Sequence, residues 1–211
     1  MIHRQVQLAL CAVLMLIGGI GVAGWIFDIE AMKSVVPGLS TMKINTALCF
    51  FVVGAGLAAA GFQQAKARVG AAVGGGIIAL AGAATMVEYV AGVGLGIDEM
   101  FVRDTGTLTG SGVPGRMSPL TATAWMALGP ALIALAVGTR RRTIIGAHLL
   151  AVYAGFVAFL AAAGYAFGAE AFWGIGYYTA MAIHTAIGLL IAAVAVLFTR
   201  PDDGWLAGFA D

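Results

Sequence analysis

Apolar residues run along this chain in long blocks separated by short polar breaks. Windows of about 17 to 25 residues with hardly a charge fall near 6–27, 44–62, 70–93, 120–138, 144–167 and 179–199. The second to fifth blocks hold one charge among them, Glu88. A helix of that length matches the hydrocarbon thickness of a bilayer. Nothing in the blocks alternates polar with apolar as a membrane barrel strand must, and backbone left unpaired in hydrocarbon is costly, so the pattern predicts helices. The fold class that follows is an all-α integral membrane protein of six transmembrane helices, forming one membrane domain over 1–211.

Composition sharpens this. The chain is 61% hydrophobic and 10% charged, where soluble domains carry roughly 25% charged residues. A water-soluble enzyme is excluded, and a net charge of +1 leaves no electrostatic footprint for nucleic acid. Cys11 and Cys49 lie inside apolar blocks and read as small packing residues rather than a disulfide or a zinc site. The first block is longer than the core of a signal peptide and no Ala-x-Ala site follows it, so it counts as a helix. Basic residues in short connections favour the cytoplasm. Arg4, Lys66, Arg68, Arg140, Arg141, Arg142 and Arg200 fall on one side, seven against the four of Lys33, Lys43, Arg103 and Arg116 on the other. That second side also holds Asp28, Glu30, Asp98, Glu99, Asp104 and Glu170, in longer connections at 28–43, 94–119 and 168–178. Both termini are therefore expected in the cytoplasm, with the acidic connections outside.

One pattern recurs: a Met, three residues, then Thr-Ala. It occurs as Met42 to Thr46-Ala47, Met117 to Thr121-Ala122 and Met181 to Thr185-Ala186, each opening an even-numbered span. In the span before each copy an aromatic sits where the chain leaves the membrane: Trp25, Tyr89 and Tyr165. The repeat is a helical hairpin, in units 6–62, 70–138 and 144–199. Each unit holds two spans, so successive copies share one topology and their pseudo-threefold axis lies along the membrane normal, which disfavours inverted-repeat transporters. Ser118 before Pro119 reads as an N-cap followed by proline at the first helical position. Thr41 and Thr179 are the capping candidates for the other two even spans. The 31 glycines, among them Gly70-x-x-x-Gly74 and Gly164-x-x-x-Gly168, fit close helix packing.

The recurring hydroxyls have two readings. In the first, Thr46, Thr121 and Thr185 bond back to the preceding turn or across a close helix pair and only hold the bundle together. In the second, the threefold arrangement brings Asn45, Thr46, Thr121, Thr123, His184 and Thr185 to one level near the outer face, ringing a small polar ligand cavity. Glu88, close to the outer end of its span, joins them as a ligand or proton candidate, because burying a carboxylate is expensive. Its bland counterpart is a structural carboxylate that reaches interfacial water or a basic partner such as Lys43 or Arg116. His184 and His148 lie on the order of 20 Å apart in depth, so they share no haem. With only His3 remaining, no histidine-rich metal cluster is available. No nucleophile elbow, zinc-protease or phosphate-loop pattern occurs, so no catalytic residue, cofactor or metal is expected. The run Arg140 to Arg142 reads as a topology anchor and a contact for anionic lipid.

At Met42-Lys-Ile-Asn-Thr-Ala-Leu-Cys-Phe50, Gly96-Ile-Asp-Glu99, Pro114-Gly-Arg-Met-Ser-Pro119, Met181-Ala-Ile-His-Thr-Ala186 and Arg200-Pro-Asp-Asp-Gly-Trp205 the chain resembles a bacterial membrane-sensor region. Regions like it stand at the N-termini of multidomain histidine kinases and diguanylate cyclases. The likeness runs from residue 8 to about 206. It implies a multi-pass protein of the bacterial inner membrane, itself no enzyme, that perceives a ligand or membrane state and passes the change inward through its last helix. Members of that family continue into PAS-like and kinase or cyclase domains, whereas this chain stops at Asp211. Expected partners are membrane lipids and either a cytoplasmic signalling domain or other integral membrane proteins, with a homo-oligomer left open. The competing expectation is an accessory, structural subunit of a larger respiratory or photosynthetic membrane complex.

Overall fold

The computed structural model describes residues 2–35, 38–62, 64–105, 112–172, 174 and 179–203. Among them are seven α-helices, two short 3₁₀ turns and no strand. The helices are α1 (Ile2–Ile26), α2 (Glu30–Lys33), α3 (Ile44–Ala60), α4 (Ala65–Ala91), α5 (Pro119–Val137), α6 (Arg141–Phe167) and α7 (Ile183–Leu197). Each apolar block carries one long helix. Four of them, α1, α4, α5 and α6, are long and apolar enough to cross a membrane. The other two, α3 and α7, have 17 and 15 residues and fall short of that length. At 1.5 Å per residue they rise about 25 and 22 Å, against a hydrocarbon core of about 30 Å. Extended backbone precedes both, and it is buried: Met42 and Lys43 before α3, and Thr179, Met181 and Ala182 before α7.

Helices α1 and α3, α4 and α5, and α6 and α7 pack as antiparallel pairs. The pairs join through α3 on α4, α5 on α6 and α7 on α1, while α3, α5 and α7 also touch one another at the centre. The most apolar window of α5 is 61% buried, against 28%, 33% and 44% for α1, α4 and α6, so α5 is central and those three are peripheral. The central helices meet around Phe50 and Trp125, whose rings stand edge to face with centroids 4.9 Å apart. Gly188 of α7 faces the same ring; a Cβ there would lie 2.6 Å from Phe50 Cζ.

Small residues set how closely the pairs approach. A Cβ on Gly18 would lie 2.6 Å from the Ala47 carbonyl, and one on Gly75 would lie 2.6 Å from that of Gly129. The contact expected at Gly70-x-x-x-Gly74 falls elsewhere: Gly74 meets Val52 and Gly70 meets nothing. In the other expected pair, Gly168 is not a packing residue but the left-handed cap of α6, with φ +66°. Gly92 plays the same part after α4 at φ +66°, and Asp28 follows α1 at φ +56°. All three stand three residues after the aromatic of their pair.

The end opposite the aromatics is tied by side chains that act both within and between pairs. Gln7 Nε2 donates to the Leu57 carbonyl at 2.9 Å and to Thr199 Oγ1 at 3.0 Å, joining α1 to α3 and to the residues after α7. The last carbonyls of α5, which a helix leaves without internal donors, accept from one arginine of its own pair partner α4 and from one that follows α7. Arg68 Nε reaches Ala136 at 2.5 Å and Arg200 Nη1 reaches Gly138 at 2.6 Å.

Candidate functional site

The site lies at the end of the bundle where the aromatics stand, and it is built on the starts of the three central helices. Lys43, Ser118 and Ala182 precede them in nearly the same extended conformation, with φ/ψ of −74/151°, −65/153° and −66/145°. Their carbonyls accept the first helical bonds, from Ala47, Ala122 and Ala186 at 3.0, 2.9 and 3.0 Å. One residue further out stand Met42, Met117 and Met181, each 1% exposed. The carbonyl of a residue before the helix has no donor within the helix, and buried backbone oxygens need one. Each peripheral helix supplies it through its aromatic. Trp25 Nε1 donates to Met42 O at 2.7 Å, Tyr89 Oη to Met117 O at 2.8 Å and Tyr165 Oη to Met181 O at 2.5 Å.

Thr46, Thr121 and Thr185 are each the third residue of a central helix and each 2% exposed. The polar groups around them are largely engaged within their own first turns, the pattern in which short polar side chains bond to nearby backbone. Asn45 Oδ1 accepts from Thr46 N at 2.8 Å. Ser118 Oγ accepts from Thr121 N at 3.1 Å, as the N-cap it was expected to be, and lies 2.8 Å from Thr121 Oγ1. Thr123 Oγ1 donates to the Leu120 carbonyl at 3.0 Å. His184 is half-buried, and its ring nitrogens have no hydrogen-bond partner among the described residues. His148 lies on α6 with Nε2 3.4 Å from the Thr199 carbonyl. Thr41 and Thr179 do not cap. The helices begin at Ile44 and Ile183, so their N-caps are Lys43 and Ala182, whose side chains make no capping bond.

Glu88 belongs to a different cluster. It is 0% exposed, and Arg116 from the loop before α5 pairs with it at 3.4 Å (Nε to Oε2). The same Nε donates to Asp98 Oδ2 at 2.8 Å, and Arg116 Nη2 donates to the Val93 carbonyl at 3.3 Å. Glu88 Oε1 accepts from Leu95 N at 2.7 Å, which pins the start of the loop. The guanidinium carbon of Arg116 lies 5.3 Å from the Tyr89 ring centre. Lys43, the other partner suggested for Glu88, instead pairs with Asp104 at 2.6 Å. Asp104 Oδ2 also accepts from Gly115 N at 3.0 Å, beside Arg116.

Two buried carboxylates thus share one guanidinium. Burial, chiefly, with the Glu88 charge and hydrogen bond adding to it, pushes the Asp98 carboxyl up to about 6 against the lowering effect of Arg116. A cavity of about 490 Å³ opens over the cluster, with Asp98, Glu99, Arg103 and Arg116 in its wall and Gly94 and Gly96 beside them. In the first pair a lysine takes a similar place. Lys33 Nζ lies 4.9 Å from the Trp25 ring centre and pairs with Asp28 at 2.6 Å and Glu30 at 3.3 Å. Burial opposes its charge, yet the bonds to those two acids prevail and raise its pKa above that of an ordinary lysine.

Sequence reasoning did not single out Asp98 or Arg116 as a site, although it offered Arg116 as a partner for Glu88. The available signal was a lone carboxylate in an apolar block beside a loop that carries both acids and an arginine. Among the described residues no group of three or more His, Cys, Asp or Glu side chains is placed to hold a metal ion. The chain matches no family profile, no curated protein and no solved structure.

Proposed function

We propose that the chain is a non-enzymatic sensor module of six membrane spans in three like hairpins, its acidic connections outside and both termini in the cytoplasm, relaying a stimulus inward through α7. One junction carries this reading. Arg116 holds Glu88 and Asp98, covers the Tyr89 ring and is bonded to Met117, whose carbonyl takes the Tyr89 hydroxyl at the start of α5. A change in the ionic cluster is therefore one peptide bond away from the seating of a central helix. The central helices touch one another, so α7 feels a shift of α5.

Three further observations support the architecture in this proposal. The repeated Met and Thr positions have like burial in all three pairs, and each aromatic donates to the carbonyl of its Met. The buried extended segments before α3 and α7 supply length that the two short helices lack, and non-helical backbone at membrane depth is tolerated where protein surrounds it. The excess of basic residues at the other end favours that end as cytoplasmic.

The test is a chimera in which α7 leads into a histidine-kinase output domain. Asn45→Leu, Thr121→Val and His184→Phe together should abolish its response, and an unchanged response would assign those residues to packing alone. Orientation is tested by Thr105→Cys, since both native cysteines are buried. Labelling of that residue from the cytoplasmic side only refutes the proposed topology.

The accessory-subunit reading is supported by the apolar surface of α4, where Val73, Ile77, Leu80, Val87 and Val90 are exposed. Such a face suits lipid or the helix of a neighbouring subunit. Purification from native membranes in mild detergent separates the two: a stoichiometric larger complex favours the subunit.

A further inference from the structure

We propose that Asp98 and Glu88, bridged by Arg116, form a binding site for one proton drawn from the acidic end of the molecule. The argument begins with two atoms. Among the described residues, Asp98 Oδ1 and Glu88 Oε2 are buried acceptors with no hydrogen-bond donor. Their residues are 7% and 0% exposed, and both carboxylates stand on the one Arg116 Nε, at 2.8 and 3.4 Å. Buried polar atoms rarely go unsatisfied. Both oxygens lack a hydrogen and neither lacks an acceptor. A proton added to Asp98 supplies a donor that the neighbouring Glu88 carboxylate accepts.

Charge leads to the same place. Glu88, Asp98 and Arg116 sum to −1, and two like charges close together in a low dielectric favour uptake of a proton. The other charged and titratable groups around Asp98 do not cancel the deficit. Glu99 and Arg103 stand opposite in sign on the cavity wall. Lys43 is matched by Asp104 behind Gly115. The Tyr89 hydroxyl is bound to Met117 O, with Thr179 beside it. An anion is disfavoured because Arg116 Nε is taken by carboxylate and Nη2 by a carbonyl. A divalent cation needs more than the two carboxylates present, and no third metal-binding side chain is placed beside them among the described residues. The cavity gives the proton a route from water to Asp98.

The reaction is a simple uptake: the Asp98 carboxylate and a proton give the carboxylic acid, and the cluster becomes neutral. This names a stimulus, acidification, for the sensor proposed above and rests on that reading only for its consequence. The site itself is tested on the purified full chain, without any output domain, in vesicles of neutral lipid. Infrared difference spectra across pH should show a carboxylic C=O band that appears with a midpoint near pH 6 as pH falls. Asp98→Asn should remove the band, and Glu88→Gln should move its midpoint downward, because the Glu88 charge raises Asp98. Methylammonium chloride added at constant pH and ionic strength should leave the band unchanged. A wild-type chain with no such band, a band that survives Asp98→Asn, or one displaced by methylammonium overturns the proton assignment. If Asp98→Asn fails to fold, the wild-type titration and the direction of the Glu88→Gln shift still decide. A titrating site in a chimera that does not respond to pH would sink the sensor reading and leave the proton site standing.

Discussion

Removing one hydroxyl isolates the bond that seats each central helix. In Tyr165→Phe the ring stays and the donor to Met181 O is lost. That bond measures 2.5 Å, and Met181 is 1% exposed, so water has little access to the stranded carbonyl. A typical hydrogen bond contributes about 0.5–1.5 kcal/mol net, and a buried group left without a partner costs about 1–3 kcal/mol. Side-chain bonds between membrane helices average about 0.6 and reach about 1.7 kcal/mol. Because Met181 precedes the first turn of α7, no donor within that helix can replace the tyrosine, which places the cost in the upper part of these ranges, about 1–2 kcal/mol. The assay is reversible unfolding in mixed micelles with rising dodecyl sulfate, followed by circular dichroism. Tyr89→Phe should cost about as much. The double variant should equal the sum within about 0.5 kcal/mol, because the two tyrosines serve different carbonyls. Losses below about 0.3 kcal/mol in both single variants would refute the reasoning, since the carbonyls would then be satisfied without the aromatics.

Other outcomes follow from the same geometry. Arg116→Met leaves Glu88 and Asp98 buried without a countercharge and should cost about 3–5 kcal/mol, with part of the loss restored by adding Asp98→Asn; the same unfolding titration measures both. Gly129→Val places a Cβ 2.7 Å from Ala79 N, so α4 and α5 must separate, at about 1–3 kcal/mol. Gly70→Ala, with nothing within 4 Å, should be stabilising by about 0.5–1 kcal/mol. Gly92→Ala at φ +66° should cost about 1 kcal/mol, whereas Gly94→Ala, in open space at an ordinary φ, should be indifferent. Asp98 holds its proton more tightly folded, at about 6, than unfolded, near 3.8. Its contribution to stability is therefore full below pH 3.8 and lost as pH rises to about 6. The wild-type unfolding midpoint should fall across that window more than the midpoint of Asp98→Asn does.

The helices were legible because an apolar block and a helix are the same statement in a bilayer: α4 lies within a few residues of the 70–93 block, and α6 ends where the 144–167 block ends. The Met-x₃-Thr-Ala copies and the three aromatics were also readable. The bond between them was not, because it depends on how deep one helix starts beside the end of another. Capping failed at Thr179 because an apolar block does not distinguish extended buried backbone from helix, and α7 starts four residues later. Gly70 and Gly75 look alike in sequence; only the rotation of α4 decides that Gly75 faces α5 and Gly70 faces outward. In the sequence Asp98 stands only among the acidic residues of its connection and within the Gly96-Ile-Asp-Glu99 motif. A loop residue becomes a buried partner of Glu88 only once Gly92 has turned the chain back over its own helix, and that turn carries no charge to reveal it.

The amide of Gln7 has a consequence for how the chain is made. Its two acceptors lie 50 and 192 residues further along. A ribosome adding about 5–20 residues per second delivers Leu57 within seconds, but Thr199 arrives roughly 10–40 s after Gln7. During that interval α1 has one of its two acceptors still unsynthesised, and the edge of α1 that α7 will cover stays open. The contact of α1 with α7 can therefore form only after α3 is already available to α1, so the first pair assembles before the third can close against it.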